Sequence, residues 1–509
     1  MPDHVLVRIQ CFDRPAAALK FLRVGTADFA DPWDPAEVYL GVMAAAPALV
    51  REIGLWGTPL ATPAPGTVQV SWHNDGTFDR ALRDCAFEGW PLEIFTGAAD
   101  QPLQTRRLVF SGVVTRHESS QTTITLSATD RLGRLMREIQ SESYRGDGGP
   151  YEGSSDLMGQ LKPLALGRCF NVPAVAVDRS RGLYQLADPA FSPLGLTVTV
   201  EKLWTGGVPI VLAGDSQDLE NDDPPNGQAL YDSSRGLVKL AGPAGDGNGE
   251  AEVTADIRAE AAVGGSSNPV ALARILAALA GLDASLDGAA FAALEAASDG
   301  METGLFLPNG GAALAALDQI LAAGGLYRLV TGAGRLTVAR LRAPTAQSPA
   351  DCALALTETD ILEGSFQWDQ LLVPAQTLKV SHDRNNLIQT DSLAAGADPA
   401  RLDFLASRHR YQTVITGNRV AWPGADTLSL ETGLIGQAAA AALALELAAL
   451  FGAPRLDLTL EVELDPAALE PGQQVWLSHE RFFPRGRAFL VLRIDADSGA
   501  GRATLRLYG

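Results

Sequence analysis

Alternating apolar and polar residues predict β-strands in the first 140 residues of the chain. In each run every second side chain is apolar, so one face of the strand can cover a core while the other meets water. The strands predicted in this way span residues 4–12 and 122–129, and further strands are predicted over 68–72, 92–95 and 108–117. Residues 78–86 predict a short helix, and 36–53 has no clean period, so we interpret it as helical or irregular. A small β-barrel or sandwich with one helix accounts for this region.

The clearest alternation lies near the C-terminus. Apolar residues occupy every second position from Leu456 to Leu464, and Asp457, Glu461 and Glu463 fall between them. This pattern predicts a half-buried strand with an acidic face in water. Residues 474–478, 489–494 and 503–508 complete a predicted four-stranded antiparallel unit. Upstream of it the sequence predicts a strand over 377–382 and a long alanine-rich helix over 433–451.

The middle of the chain combines strands with a helical segment. Residues 162–173 form an apolar run between two prolines, which predicts a strand that is short or at a sheet edge. Further strands are predicted over 175–177, 183–186 and 251–257, with a hairpin over 197–212 that turns at Gly206-Gly207. Asn268-Pro269 marks a helix start. Helices over 269–280, 289–297 and 312–323 then precede a hairpin over 326–341, so this part is α+β.

These elements divide the chain into five parts. We expect an N-terminal β-barrel-like domain over 1–142, a Gly-rich linker over 143–156, a central β domain over 157–262, an α+β helical and hairpin module over 263–345, and a C-terminal β-barrel-like domain with one long helix over 346–509. The predicted fold class is mainly β with an α+β insertion, multidomain. A chain of 509 residues is too long for a single core, which agrees with this division.

Composition narrows the functional classes. The net charge of −20 argues against stable nucleic-acid binding, which needs a basic footprint. The four cysteines, Cys11, Cys85, Cys169 and Cys352, lie far apart without a C-x-x-C pair, so we interpret them as free thiols of a protein folded in a reducing cytoplasm. No signal peptide is visible at the start, and the run near residue 440 is too weakly hydrophobic to span a bilayer.

The sequence offers no catalytic signature. It contains no G-x-S-x-G, H-E-x-x-H or phosphate-loop motif, and its six histidines are isolated: His4, His73, His117, His382, His409 and His479. The acidic stretch 215–223 fits a solvated loop better than a calcium site, and Asp222-Asp223 should point apart. Residues 245–249 are interpreted as a turn. We therefore assign no catalytic, metal or cofactor residue, expect no cofactor, and expect a protein that is not an enzyme.

Several segments carry a resemblance to a known family. The string Lys162–Asp178 (KPLALGRCFNVPAVAVD), the later LYQ and the hairpin ending in Gly-Gly-Val-Pro resemble tail-tip or baseplate hub proteins of tailed phages and alphaproteobacterial gene transfer agents. Similar pieces follow the same order along most of the chain, at residues 74–79, 87–92, 236–240 and 451–455. The resemblance implies tube-forming β domains of the tail hub type, with an α+β insertion beside the barrels.

The resemblance also implies a function and partners. It indicates a structural virion protein of a siphophage-like tail or gene transfer agent, made in the bacterial host cytoplasm and located at the tail tip. Such a hub assembles with itself, most simply as a homotrimer, and contacts the tail tube or distal tail protein and the fibre or tip proteins. DNA passes through its lumen during genome ejection without stable binding, and no membrane segment is expected.

Two other classes remain as alternatives. The first is a receptor- or glycan-binding tail protein, which should show clustered exposed aromatic residues. The second is a cell-wall hydrolase built from carboxylates that are distant in sequence. The eight tryptophans are dispersed singly along the chain, which favours the structural hub.

Overall fold

The structure, a computed structural model, describes residues 4–53, 66–191, 195–242, 251–261, 265–391, 393–464, 468–497 and 501–509. Most of the regular structure is strand, arranged in several sheets, with helices concentrated after residue 268. The prediction of a mainly β, multidomain fold with an α+β insertion is therefore confirmed. No helix in these ranges is long and apolar enough to span a membrane.

The N-terminal unit is one antiparallel sheet that curls on itself. Its elements are β1 His4–Asp13, β2 Ala18–Gly25, β3 Phe29–Ala30, β4 Val38–Tyr39, β5 Ala48–Glu52, β6 Thr67–His73, α1 Asp79–Asp84, β7 Cys85–Ala86, β8 Pro91–Gly97, β9 Arg107–Ser119 and β10 Thr123–Asp130. The main sheet has the order β2-β1-β8-β9-β10-β6, with β7 beside β1.

The segment 40–43 brings the two edges of this sheet together. The Met43 N–H donates to the Gly25 carbonyl of β2 at 3.0 Å, and the His73 N–H of β6 donates to the Val42 carbonyl at 3.0 Å. A short piece of chain thus hydrogen-bonds to both edge strands. The inward side chains of β1 and β10 are buried as their alternation predicts. The arrangement is barrel-like.

The central unit is built on a ten-stranded sheet. Its strands are β11 Leu164–Pro173, β12 Val175–Asp178, β13 Leu183–Gln185, β14 Leu196–Thr205, β15 Val208–Asp215, β16 Gln228–Asp232, β17 Leu237–Leu240 and β18 Val253–Ala261. The β14–β15 hairpin turns at Gly206 and Gly207, whose φ angles of 54° and 81° suit glycine. The order is β12-β13-β17-β16-β15-β14-β18-β11-β19-β27, in which the last two strands come from later parts of the chain.

Strand β11 corrects the prediction for residues 162–173. It is neither short nor at an edge: it has ten residues and pairs with β18 on one side and β19 on the other. Both prolines are tolerated because of where they fall. Pro163 precedes the strand, and Pro173 is its last residue, so neither removes a hydrogen bond from the middle of the ladder. A proline that bounds a strand therefore does not predict an edge.

The α+β module follows the predicted order with one addition. Its elements are α2 Pro269–Leu279, α3 Gly288–Ala297, β19 Glu302–Leu307, α4 Ala313–Ala323, β20 Leu326–Val330 and β21 Leu336–Arg340. Asn268 caps α2 by accepting a hydrogen bond from the Val270 N–H at 2.8 Å, as predicted. The unpredicted strand β19 pairs with β11, so the module is attached to the central sheet.

The C-terminal unit contains more elements than its sequence pattern indicated. They are β22 Leu354–Leu356, β23 Gln367–Leu372, β24 Thr377–His382, α5 Pro399–Ala406, β25 Arg410–Ile415, β26 Thr427–Leu430, β27 Leu434–Ile435, α6 Gln437–Phe451, β28 Arg455–Glu463, β29 Gln474–His479, β30 Phe483–Asp497 and β31 Arg502–Tyr508. The predicted four strands belong to a seven-stranded sheet. Helix α6 begins later than predicted, because Leu434 and Ile435 pair with β19.

The C-terminal sheet is also barrel-like. Its order is β22-β29-β30-β31-β28-β23, with β5 beside β30. After β22 the chain crosses within a few residues to the other side of the sheet, where the Leu362 N–H donates to the Glu461 carbonyl of β28 at 2.9 Å. The three strands β25-β24-β26 form a separate small sheet against which α6 packs.

Strand β5 joins the two ends of the chain. Residues 36–53 were interpreted as helical or irregular, but 48–52 form a strand that pairs antiparallel with residues 493–497 of β30. Strand β29 pairs with the first half of β30, and β5 pairs with the second half along the same edge. The buried side chains of both terminal units form one cluster that includes Leu49. The two barrels are consequently not independent cores.

Two further findings concern the predicted boundaries and faces. Residues 143–156, predicted as a linker, fold back so that Tyr144 is buried in a cluster with Leu183 and Leu237 of the central sheet. The domain limits themselves stay a prediction.

Asp457, predicted to lie in water, is fully buried. Its carboxylate binds Arg506 at 2.6 Å, and α6 covers this side of the sheet, so the alternation gave the wrong environment for this residue.

Candidate functional site

A cavity of about 240 Å³ lies where the two terminal units meet the α+β module. Strand β5, the start of β6 and the β20 strand contribute to its walls. Its charged groups are already engaged: Arg51 binds Glu470 at 2.7 Å and Arg328 binds Asp318 at 2.7 Å. Among the described residues that line it there is no histidine, cysteine or lysine. The geometry is that of a structural junction.

Asp130 is the titratable group in this junction with a shifted pKa. Its carboxylate accepts hydrogen bonds from the Gly66 N–H at 2.7 Å and the Leu132 N–H at 2.9 Å. Burial disfavours the charged form and raises the pKa of Asp130 to about 6, although these hydrogen bonds act in the opposite direction. The residue caps the turn after β10. The sequence carried no signal for it, because Gly66 and Arg328, which line the same cavity, are distant from it along the chain.

The structure does not bring the cysteines and histidines together into one site. The cysteines are free; Cys11, Cys85 and Cys169 are buried, and burial raises the pKa of Cys11 and Cys169. Four histidines each face one carboxylate, in the pairs His117–Glu88, His382–Asp383, His409–Glu431 and His479–Glu358. Within the described ranges no group of three metal-binding side chains is found.

The acidic stretch 215–223 is a loop held by local bonds. Asp223 binds the Lys239 ammonium at 2.7 Å, while Asp222 accepts a hydrogen bond from the Ser216 hydroxyl at 2.5 Å. The two neighbouring carboxylates therefore have different partners. The Gly-rich segment 245–249, interpreted as a turn, lies outside the described residues.

The C-terminal unit carries a cluster of aromatic rings that the sequence did not reveal. Trp368 on the edge strand β23 is 45% exposed, and it lies 5.4 Å from Phe482, centroid to centroid. Phe366 stacks on Phe482 at 5.1 Å, and His479 lies 4.8 Å from the same ring. Tryptophans that are dispersed in sequence can still join phenylalanines in space. Dispersal of the tryptophans in the sequence is therefore not by itself evidence against an aromatic surface at this position.

The N-terminal unit also exposes apolar side chains at an edge. Strand β2 pairs with β1 on one side, and its residues Leu19 and Phe21 are 55% and 41% exposed. Trp33 and Val38 are exposed on the neighbouring β3–β4 hairpin. An edge strand presents unpaired backbone N–H and C=O groups, and exposed apolar side chains beside it favour pairing with another chain. This edge is the best candidate for an assembly surface in the described structure.

Fold and surfaces together define a multi-sheet β-protein with two barrel-like units and exposed apolar edges. No protein-family model matches the chain, and a search of curated protein sequences finds no match. Solved structures do resemble it. A tail protein from Neisseria meningitidis MC58 is 12% identical, with 91% of this chain and 90% of that one covered and a TM-score of 0.39.

Two further tail proteins are similar to the chain over its whole length. The 43 kDa tail protein of prophage MuSo2 from Shewanella oneidensis is 9% identical, with coverage of 99% of this chain and 98% of that one and a TM-score of 0.38. Prophage tail protein gp18 from Listeria monocytogenes EGD-e is 8% identical, with coverage of 100% and 94% and a TM-score of 0.37. All three of these neighbours are described as tail proteins.

Proposed function

We propose that this chain is a structural hub of a phage-type tail tip, where it forms a ring that continues the tail tube and connects it to tip or fibre proteins. The observation that carries the proposal is the pair of barrel-like units at the two ends of the chain, held to each other by the β5–β30 pairing. Three copies would place six such units around an axis and so match a hexameric tube. The sequence resemblance supports the same assignment.

The ring is expected to use the exposed edge of β2. A closed ring needs a heterologous contact, in which one surface of a copy meets a different surface of the next. Segment 40–43 covers this edge at Arg23 to Gly25, whereas the earlier part of β2 with the apolar side chains of Leu19 and Phe21 is left open and suits such a contact. The partner edge in the neighbouring copy is expected to come from its C-terminal unit, where β23 ends the sheet.

Mass measurement tests the assembly. Native mass spectrometry of the purified chain should give a species of three times the 53.6 kDa mass of one chain. Leu19→Asp should shift it to single chains, whereas Val420→Asp, at a 95% exposed residue of the C-terminal unit, should leave the trimer intact. A wild-type chain that remains single at all concentrations and within the mature particle contradicts the proposal.

The lumen of the ring should be neutral or acidic. Non-specific DNA binding depends on phosphate contacts with Lys and Arg, so a conduit wall without free basic groups lets DNA pass. The net charge of −20 supports this, and of the three acidic residues predicted on β28 the exposed Glu463 and half-buried Glu461 remain available. Asp457 is buried and contributes nothing to such a wall. A basic lumen in a structure of the assembled ring would refute this part.

We also propose that the chain has no catalytic centre. Two observations on the described residues support this: no group of three His, Cys, Asp or Glu side chains is placed to hold a metal ion, and no histidine, cysteine or lysine lines the junction cavity. Incubation with peptidoglycan and with capsular polysaccharide should release no fragments. Release that disappears when one carboxylate is substituted would instead identify a hydrolase.

The aromatic cluster around Trp368 supports one alternative, a receptor- or glycan-binding tail protein. Aromatic faces stack on sugar rings, and Arg481 lies 5.0 Å from the Phe482 ring at the edge of the cluster. A glycan array with the assembled protein separates the two functions. Binding that is lost in Trp368→Ala, without a change in assembly mass, favours the alternative.

A further inference from the structure

A second cavity, of about 580 Å³, lies between the central unit and the C-terminal unit. The β14–β15 hairpin contributes Trp204, and helix α5 contributes Arg401 and Phe404. Phe170 from β11 and Arg410 from β25 complete the main walls. Pockets for small ligands range from about 300 to 1,000 Å³ and combine apolar walls with a few convergent polar groups. This cavity has both properties.

The two arginines are stacked on aromatic rings. The guanidinium carbon of Arg401 lies 3.6 Å from the ring centre of Trp204 and 5.1 Å from that of Phe404. The guanidinium carbon of Arg410 lies 3.8 Å from the ring centre of Phe404. Stacking uses the flat face of a guanidinium and leaves its in-plane N–H donors free for an anion.

Arg401 has an N–H donor that makes no hydrogen bond among the described residues. Its Nη2 donates to the Oδ1 of Asn171, but its Nε is buried without a hydrogen-bond partner in the described structure. No ion pair to a carboxylate is found for it among the described residues, and burial lowers its pKa. A buried, charged donor without a partner is costly, and an anionic ligand would remove that cost.

Arg410 is held in place by carbonyl groups. It donates to the backbone oxygens of Asp383 and Phe404, and burial lowers its pKa as well. These bonds fix the orientation of the guanidinium without neutralising its charge. Neither arginine forms a direct ion pair with a carboxylate among the described residues, although Asp256 acts electrostatically on Arg401 and Asp383 on Arg410.

Acidic groups nearby select the kind of anion. Asp256, Asp383 and Asp398 also line the cavity, against Lys202 and the two arginines. Burial raises the pKa of Asp256 to about 6, and its carboxylate accepts a hydrogen bond from the Asn171 N–H at 2.9 Å. Such a balanced surface disfavours a doubly charged phosphate and suits a single negative charge with an apolar neighbour.

We propose that this cavity binds a carboxylate attached to an apolar group, with the carboxylate held by Arg401 and Arg410. The apolar part of the ligand packs against Phe170 and Trp204. The carboxylate is either a free acid or the side chain of a peptide segment from another protein. The inference rests on the cavity alone and does not depend on the tail role.

Calorimetric titration of the full chain with phenylacetate tests the proposal. Saturable binding is expected, and Arg401→Met should weaken it by about tenfold or more, because charge-assisted hydrogen bonds are lost. Arg485→Met, at an exposed arginine outside the cavity, is the matched control and should leave the affinity unchanged. No binding of phenylacetate, or equal loss in both variants, overturns the proposal.

A measurement on the wild-type chain covers the case in which the variant does not fold. Phenylglyoxal modifies free guanidinium groups, and peptide mass mapping should show that phenylacetate protects Arg401 and not Arg485. The peptide acetyl-Phe-Glu-amide, compared with acetyl-Phe-Gln-amide, separates the two sources. Glu-dependent binding identifies a protein segment, and binding of phenylacetate alone identifies a free acid. Inorganic phosphate that binds more tightly than phenylacetate overturns the carboxylate assignment.

Discussion

The inner faces of both barrel-like units are lined by the apolar side chains of alternating strands, but their outer faces differ. Each outer face carries a cross-strand ion pair. In the N-terminal unit Arg8 binds Glu93 at 2.7 Å, and both side chains stay partly exposed, at 29% and 25%. In the C-terminal unit Arg506 binds Asp457 at 2.6 Å, and the aspartate is fully buried. The same kind of pair thus occupies two environments.

This difference in burial comes from the elements that pack against the outer face of each sheet. Helix α6 packs its leucines over the outer face of the C-terminal sheet, in one cluster with Leu490, Leu492 and Tyr508. Among the described residues, the β3–β4 hairpin and Leu103 pack above Leu6 and Phe95 of the N-terminal unit, and no helix does. A covered barrel face gives stability within the chain, whereas an uncovered one is available to a neighbouring copy. The N-terminal unit is therefore the better candidate for contacts between copies.

Removing the buried acid should give the largest effect. In Asp457→Ala the two charge-assisted hydrogen bonds that Arg506, itself 32% exposed, donates to a fully buried carboxylate are lost, so we expect a loss of about 3–5 kcal/mol in the free energy of unfolding. Glu93→Ala removes the matched acid on the uncovered face and should cost about 1 kcal/mol or less. Urea denaturation followed by tryptophan fluorescence measures both. Equal losses would show that α6 does not separate the two environments.

Shortening Leu49 should weaken both units at once. Leu49 is 5% exposed in the shared cluster, and Leu49→Ala is expected to cost about 2–4 kcal/mol through lost burial and a cavity. Hydrogen exchange should show faster amide exchange in β10 and in β30 together. Leu19→Ala, at the exposed edge, should change stability by about 0.5 kcal/mol or less. Faster exchange in only one barrel would mean that the two cores are separate.

Asp130 should give the junction a pH dependence. Because its pKa is raised in the folded chain to about 6, the folded state keeps a proton that the unfolded state has already lost above its ordinary pKa. Stability from this group is therefore greatest at low pH and falls as pH rises from about 4 to 6, by about 2 kcal/mol. Asp130→Asn should remove that fall. The denaturation midpoints of the wild type and of Asp130→Asn are measured across this pH range. The difference between the two proteins should change with pH, and a constant difference would contradict the assignment.

The smallest expected effect concerns the contact between α6 and the sheet. The Tyr508 hydroxyl donates to the Leu450 carbonyl at 2.8 Å, near the end of the helix. Tyr508→Phe keeps the ring and removes this bond, so a loss of about 1 kcal/mol is expected. Tyr411→Phe is the control: its hydroxyl makes only a long, exposed hydrogen bond of 3.5 Å to Glu431, so a change of about 0.5 kcal/mol or less is expected in thermal unfolding. A neutral Tyr508→Phe would show that the helix is held by its leucines alone.

The sequence by itself determined the elements whose signals are local. Strands β1, β6 and β10 follow their alternation, the β14–β15 hairpin follows its two glycines, and α2 follows its asparagine cap and proline. In each case the residues that cause the structure lie within a few positions of it. Backbone conformation, capping and side-chain alternation act over that distance, so the pattern is enough. The mainly β, multidomain class follows from these elements.

Only the tertiary structure decided which surfaces meet. Strand β5 pairs with a strand more than 400 positions later, and β11 lies in the middle of a sheet because β19 returns beside it. The burial of Asp457 depends on α6, and the cavity that joins Trp204 to Arg401 depends on two units packing together. Burial and pairing between distant segments are properties of the packed chain. A sequence pattern records the face that a residue takes on its own strand, and the packing then determines what covers that face.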